Sequence, residues 1–259
     1  MNKLVLATTV ATALWGAVFG ETAAIQSQNI VGYAVNTDML GKQYVQVGTS
    51  FLATDASDTE KSFKLKNIRP ISYDSSSDML QVISDVNART LDVFTYVSAE
   101  EAEGDEDLIG WWDSNIESSK NELEFKMGVG FKANFAAKDV ALSNSGVVNQ
   151  DATEIDYTGK QYVVVPNILP RKILLGEIVG IGTDSSSDML QVLSSENAKT
   201  VDAMVYVSAE EAEGDEDLIG WWDSNIEVSK NTLEIEPNGA LYANFAAKGA
   251  KLAFPSAVK

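Results

Sequence analysis

Carboxylate side chains crowd into two short segments of the sequence, and these residues have the clearest capacity for chemistry. The first segment holds eight acids with no Lys or Arg between them: Glu100, Glu101, Glu103, Asp105, Glu106, Asp107, Asp113 and Glu117. The second segment repeats all eight: Glu210, Glu211, Glu213, Asp215, Glu216, Asp217, Asp223 and Glu227. Hard cations such as Ca²⁺ bind several carboxylate oxygens at once, and acid-dense loops can supply them.

The calcium hypothesis selects three aspartates from each segment. The candidate ligands are Asp105, Asp107, Asp113, Asp215, Asp217 and Asp223. The EF-hand pattern is absent, because no Asp-x-Asp-x-Asp-Gly run precedes a glutamate at the required distance. A solvated, mutually repelling surface loop that aids solubility explains the same acids. The sequence favours the loop and keeps Ca²⁺ as the alternative and the one cofactor it suggests.

A pair of adjacent tryptophans follows each acidic run. Successive side chains of a strand point to opposite faces, so only one of Trp111 and Trp112 can enter the same core, and the same holds for Trp221 and Trp222. An exposed Trp beside carboxylates can stack on a sugar ring or contact a protein. Trp112 and Trp222 are therefore the candidate ligand-binding residues. The other interpretation is that both members of each pair are largely buried.

Two Asp/Ser stretches, 74–78 and 184–188, also resemble the opening of a calcium-binding loop. Position six is Met79 rather than glycine, and position twelve is Asp85 in one copy but Ser195 in the other. Asp and Ser side chains bond to their own backbone in turns. We therefore predict a turn before a strand that starts near Met79.

Catalysis is not expected from this composition. The 259 residues include no His and no Cys, which excludes a Ser-His-Asp triad, a thiolate nucleophile and ordinary zinc or copper sites. A carboxylate pair could hydrolyse glycosides, but only if one acid lies in a desolvated pocket with a raised pKa. Acids in so hydrophilic a run are expected to stay solvated. With 19 Lys+Arg against 38 Asp+Glu, the net charge of −19 argues against a nucleic-acid partner.

An internal duplication organises these motifs. Residues 96–117 read YVSAEEAEGDEDLIGWWDSNIE, and residues 206–227 repeat them without a change. At the same offset of 110, residues 74–138 and 184–248 match at 47 of 65 positions. Upstream, the sequence GKQYV at 41–45 recurs at 159–163, an offset of 118. The first copy therefore carries eight extra residues, which we place within 53–73 as an exposed loop insertion.

The elements around the motifs are predicted to be strands. Residues 91–97 and 201–207 are rich in β-branched and aromatic side chains, and several shorter runs alternate between apolar and polar residues. The shorter runs are 43–47, 80–83, 123–126 and 131–135. Only 98–103 is compatible with a helical turn or two. The predicted fold class is all-β, with β-sandwich or barrel-like modules, short helical turns and two tandem similar domains.

The N-terminal sequence is typical of a secretory signal peptide that is cleaved. Lys3 precedes an apolar stretch, and small residues end it before Glu21. A membrane anchor is the alternative, but the stretch is shorter than the ~20 residues that span a bilayer. The predicted organisation is a signal peptide at 1–20, a lead-in at 21–40, module 1 at 41–145, a linker at 146–158 and module 2 at 159–259. After cleavage we expect no integral membrane segment, and a secreted, periplasmic or surface-associated protein.

The order of these motifs resembles a family of uncharacterised exported bacterial proteins. The matching segments are Asn29-Ile30-Val31-Gly32-Tyr33, Gly48-Thr49-Ser50-Phe51, Asp78-Met79-Leu80-Gln81-Val82, Gly110-Trp111, Gly128-Val129-Gly130-Phe131 and Ser145-Gly146-Val147-Val148. The second copy departs from the pattern, since Val165-Pro166-Asn167-Ile168 replaces the second of these segments. The resemblance implies export and tandem β-modules, and it brings no catalytic residues.

Together these features predict a non-catalytic structural or adhesive protein of the cell surface or extracellular space. A carbohydrate-binding module or glycan-active enzyme is one alternative, and a Ca²⁺-dependent surface module is another. The expected partners are other surface proteins or glycans.

Overall fold

The computed structural model describes residues 31–36, 40–53, 61–136, 139–246 and 249–257, so the predicted signal peptide lies outside the described residues. The first half of the chain contains β1 (Val31–Asn36), β2 (Tyr44–Val47), β3 (Phe51–Leu52), β4 (Ser62–Lys64), β5 (Ile68–Ile71), β6 (Met79–Ile83), β7 (Thr90–Val97), β8 (Gly110–Asp113), β9 (Glu124–Lys126), β10 (Phe131–Asn134) and β11 (Ala141–Val148). The second half contains β12 (Thr153–Asp156), β13 (Tyr162–Pro166), β14 (Ile173–Leu174), β15 (Val179–Ile181), β16 (Asp188–Leu193), β17 (Thr200–Val207), β18 (Gly220–Asp223), β19 (Glu234–Ile235), β20 (Ala240–Phe245) and β21 (Lys251–Phe254). Short 3₁₀ helices lie at η1 (Leu65–Asn67), η2 (Glu106–Leu108), η3 (Leu175–Glu177) and η4 (Glu216–Leu218).

The first half folds into antiparallel sheets. A five-stranded sheet has the order β2-β10-β6-β7-β8. A second sheet has β11 at its centre, with β1 on one side and both β3 and β5 on the other. Strands β4 and β9 form a short two-stranded sheet. The prediction of an all-β fold with short helical turns is confirmed.

The second half repeats this topology except that β3 has no counterpart there. Its five-stranded sheet is β13-β20-β16-β17-β18, its smaller sheet is β12-β21-β15, and β14 pairs with β19. The register is the same as well, because Phe63 faces Phe125 and Ile173 faces Ile235 at an offset of 110. Each of these sheets draws its strands from one half. That the halves are independent domains stays a prediction.

Each half centres on its own hydrophobic core, built by period-two alternation, and Met127 of the first half joins the core of the second. On β10, Phe131 and Ala133 are buried while Lys132 and Asn134 are only half-buried. The cores centre on Trp111 in the first half and Trp221 in the second, both at most 1% exposed. Burying a large apolar side chain stabilises a fold by about 1.5–3 kcal/mol, so these alternating positions hold the sheets together.

Strands run through the predicted linker and the predicted lead-in. The stretch 146–158, predicted as a linker, contains the end of β11 and all of β12, because both strands add to sheets. Only 149–152 lies between them. The lead-in 21–40 likewise contains β1, which pairs with β11. Since β2 and β13 correspond at an offset of 118 and β4 and β14 at 110, the extra residues of the first half lie between β2 and β4. Residues 54–60 within that interval lie outside the described residues.

Candidate functional site

The acidic segment forms a series of tight turns whose carboxylates bind backbone amides. Glu101 accepts from the backbone N–H of Ser98 at 2.8 Å and of Ser75 at 2.7 Å, and so ties its segment to the Asp/Ser turn at 74–78. Asp105 caps η2 by accepting from the Asp107 N–H at 3.1 Å. Every one of these contacts recurs in the second half. The acids nearest the turns therefore stabilise local backbone structure.

The aspartate that ends β8 holds a hairpin loop. Asp113 Oδ1 accepts from the Glu117 N–H at 2.9 Å and the Asn115 N–H at 3.3 Å. The loop places Ile116 at φ 58°, in the left-handed region that β-branched residues rarely adopt. Asp223 makes the equivalent bond to Glu227 at 2.8 Å. These bonds hold a loop that is otherwise conformationally unfavourable.

Hydrogen bonds lower the pKa of several of these carboxyl groups. The Glu117 amide is the main cause for Asp113, as the Glu227 amide is for Asp223. For Glu101 and Glu211 partial burial opposes ionisation, but bonds from Ser98 and Ser75, or Ser208 and Ser185, outweigh it and lower the pKa. A lowered pKa keeps a carboxylate ionised at neutral pH, which is the opposite of what a general acid needs.

The six candidate calcium ligands are not brought together. Asp105 lies at the start of η2, whereas Asp113 lies at the end of β8, and each carboxylate serves its own turn. Among the residues that the structure describes, no group of three acidic side chains is placed to hold a metal ion. The Asp/Ser stretch is a turn, as predicted: Asp74 Oδ1 accepts from the Ser76 N–H at 2.9 Å, and Asp78 Oδ2 accepts from the Asp74 N–H at 2.9 Å.

The tryptophan pairs split as strand geometry requires. Trp111 is fully buried, and its indole Nε1–H donates to the Ile68 carbonyl at 2.7 Å. Trp112 is half-buried on the other face, and its Nε1–H donates to the Leu108 carbonyl at 2.7 Å. Trp222 makes the same contact with Leu218. The exposed part of each ring is thus held in a fixed orientation, which is what a stacking contact would use.

The two halves meet along a pseudo-two-fold seam that the sequence did not reveal. The backbone N–H groups of Gln43 and Tyr44 donate to the Ser195 carbonyl at 3.1 and 2.9 Å. The equivalent groups of Gln161 and Tyr162 donate to the Asp85 carbonyl at 2.8 and 3.0 Å. Residues 43 and 161, and 85 and 195, are equivalent positions of the duplication. Two reciprocal contacts between the same positions are the signature of an isologous interface.

Two pairs of equivalent residues face each other at the centre of the seam. Lys132 places its Nζ 4.4 Å from the ring centroid of Tyr242, a cation–π contact between positions 110 apart. Burial lowers the pKa of Lys132. Burial also raises the pKa of Tyr242 to about 12, with a smaller contribution from nearby Tyr162. The second pair is Gly48 and Pro166, 118 apart. In both pairs the two copies carry different residues at the same position. That divergence is the sequence signal that could have pointed to the seam.

A groove of about 550 Å³ opens where β2 meets the second half. Its apolar floor includes Leu193 and Leu241, and its rim carries Lys42, Tyr44 and Glu196. The rim breaks the two-fold symmetry. Lys160 pairs with Asp85 at 3.4 Å, whereas Lys42, the equivalent lysine, faces Ser195 at the position of that aspartate and has no ion pair among the described residues.

The fold and these sites define an all-β protein of two equivalent halves with turn-bound carboxylates. A scan against family models and searches of curated proteins and solved structures found no match to the chain. No helix in the described ranges is long and apolar enough to cross a membrane.

Proposed function

We propose that this chain is an exported structural or adhesive protein of the cell surface or extracellular space, and that it has no catalytic activity. The observation that carries the proposal is that the carboxylates bind groups of the protein itself and are held ionised. Bonds to amides, hydroxyls or lysines lower the pKa of eight carboxyl groups, those of Asp74, Glu101, Asp113, Glu122, Asp156, Asp184, Glu211 and Asp223. Such groups stabilise turns and stay ionised, so they suit a durable acidic surface better than proton transfer.

The seam supports the same role. Backbone hydrogen bonds across it and the shared cluster of Ile83, Val164, Leu193 and Tyr242 fix the two halves against each other. A chain that lacks Cys gains no disulfides, so an exported protein of this composition has to rely on such packing. The result is a rigid unit that displays the same acidic loops twice.

The test is carried out on cells of the source organism, with a variant that removes acidic side chains. Protease treatment of intact cells should degrade the protein, and a strain without the gene should attach to surfaces less well. Complementation with Asp107→Asn/Asp217→Asn should restore attachment as fully as the wild type, because neither side chain does chemistry. A protein that is retained inside the cell, or a deletion strain that attaches as well as the wild type, would overturn the proposal.

Glycan binding is the second candidate function, and the groove favours it. Tyr44 offers an aromatic ring beside Lys42 and Glu196, over an apolar floor, and the volume lies in the range of ligand sites. Tryptophan fluorescence will not report on this groove directly. Calorimetric titration with soluble polysaccharides, compared between the wild type and Tyr44→Ala, therefore decides between the two functions.

A further inference from the structure

The smaller sheet of each half has two outer edges, and the duplication lets the edges be compared. In the first half the edges include β1 on one side and β5 on the other; in the second half the equivalents are β12 and β15. An exposed strand edge carries unpaired N–H and C=O groups, and proteins protect such edges with charges or proline. The four edges differ in this protection.

Two edges are protected. Strand β5 reads Ile-Arg-Pro-Ile, with Arg69 exposed and Pro70 unable to donate a hydrogen bond. Strand β12 carries Glu154 and Asp156, both exposed and both near the Lys251 ammonium, at 2.8 and 4.0 Å. Each protected edge therefore presents charge, and one also presents proline, to any strand that approaches.

Among the described residues, the other two edges carry neither charge nor proline. Strand β15 reads Val-Gly-Ile, and Val179 and Ile181 are 45% and 40% exposed. Its Gly180 stands where β5 has Pro70, and proline is confined to edge positions whose N–H points away from the sheet. Gly180 therefore directs a donor outward. Strand β1 has no charged residue, and its Val31 and Tyr33 are 54% and 49% exposed.

We propose that the outer edge of β15 pairs with the outer edge of β1 from a second copy of this chain. Pairing would join the backbone groups of the two edges and bring Val179 and Ile181 beside Val31 and Tyr33 on one face of a continuous sheet. The partner is another copy because, among the described edges of the smaller sheets, each half offers one that lacks charge and proline. The remaining edges, with their charges and proline, are excluded from this contact.

Such pairing is head-to-tail, and a heterologous contact that does not close a ring yields an open filament. The inference deepens the proposed structural role and rests on it for its biological meaning. Self-association is measured with purified protein and attachment with cells, so the two can fail separately. The net charge of −19 opposes assembly at low salt, and screening should favour it.

The test measures association of the chain from Glu21 onward by sedimentation and electron microscopy. In about 1 M NaCl, where the Debye length is about 3 Å, the wild type should form oligomers that lengthen with concentration. Val179→Arg copies the natural protection of β5 and should weaken association at least about tenfold, as should Tyr33→Arg on β1. The matched control is Ile71→Arg on the protected edge β5, where the residue is 47% exposed; it should assemble like the wild type.

A mixture of the two variants gives the sharpest result. The Val179→Arg chain keeps an intact β1 edge and the Tyr33→Arg chain an intact β15 edge, so together they should form a one-to-one dimer that does not elongate. Val31→Arg replaces Tyr33→Arg if circular dichroism shows that the latter has lost its fold. A wild type that stays monomeric at high salt, an Ile71→Arg variant that is equally impaired, or a mixture that stays monomeric would overturn the proposal.

Discussion

Gly48 and Pro166 occupy equivalent positions of the duplication and lie against each other across the seam. A Cβ built on Gly48 would overlap the Pro166 Cβ and lie 3.2 Å from its Cγ. Two prolines could not face each other here, and two glycines would leave a gap. The seam thus depends on the copies having diverged into a complementary pair.

Gly48→Ala should therefore destabilise the protein by about 1–3 kcal/mol, because an added methyl overpacks a close contact. The same change in a Pro166→Gly background should cost clearly less, since the overlapping atom has been removed. Chemical denaturation of the four proteins of this double-mutant cycle measures the coupling. Equal costs in the two backgrounds would mean that the two residues do not oppose each other in solution.

The Lys132–Tyr242 contact makes a second test of the seam. Lys132→Met keeps the aliphatic stem but removes the charge, and we expect a loss of about 0.5–2 kcal/mol, the range for a cation–π contact that is partly desolvated. In a Tyr242→Leu background the same substitution should have little effect. Additive losses in urea denaturation would rule out a direct interaction.

The adjacent tryptophans should differ sharply in their contribution to stability. Trp111→Ala removes a fully buried ring and its bond to Ile68, so a loss of about 3–5 kcal/mol is expected. Trp112→Ala removes a half-buried ring and should cost less. Trp221→Ala and Trp222→Ala repeat the comparison in the other half. Equal denaturation midpoints for Trp111→Ala and Trp112→Ala would contradict the assignment of Trp111 to the core.

Low pH should weaken the contribution that Asp113 and Asp223, the hairpin-loop aspartates, make to the stability of the fold. The pKa values of Asp113 and Asp223 are lowered in the fold, so their ionised forms stabilise it above the unfolded value of about 3.9. That contribution is lost as pH falls through the lower folded value. Asp113→Asn/Asp223→Asn should therefore melt below the wild type at pH 7, and the difference in Tm should disappear in stronger acid. A difference that stays constant down to pH 2 would show that ionisation is not involved.

Calcium should have little effect on stability. A ligand that binds the native state must raise Tm, but Asp105 and Asp107 share one turn while Asp113 holds another loop, and no three acids among the described residues form a metal-binding group. Melts in EDTA and in millimolar Ca²⁺ should agree within about a degree. A rise of several degrees that Asp105→Asn/Asp107→Asn abolishes would restore the calcium hypothesis.

Local patterns accounted for much of the fold. Strands β2, β6, β7, β9, β10 and β17 were predictable from alternation and β-branched content, and the Asp/Ser turns from side-chain bonds to their own backbone. Strand β1 was missed because its six residues include a glycine and pair only with distant β11. The predicted linker contains the end of the eight-residue β11 and the short β12, which its polar residues did not reveal.

The sequence by itself determined the all-β class, the duplication, the acidic loops and the burial of one tryptophan per pair. These follow from composition, periodicity and internal identity, which act over a few residues or one repeat. Tertiary structure alone decided that acids a few residues apart serve different turns, that Gly48 meets Pro166, and that only β1 and β15 of the compared edges lack charge and proline. Such facts depend on which distant surfaces come together, and no local pattern encodes that.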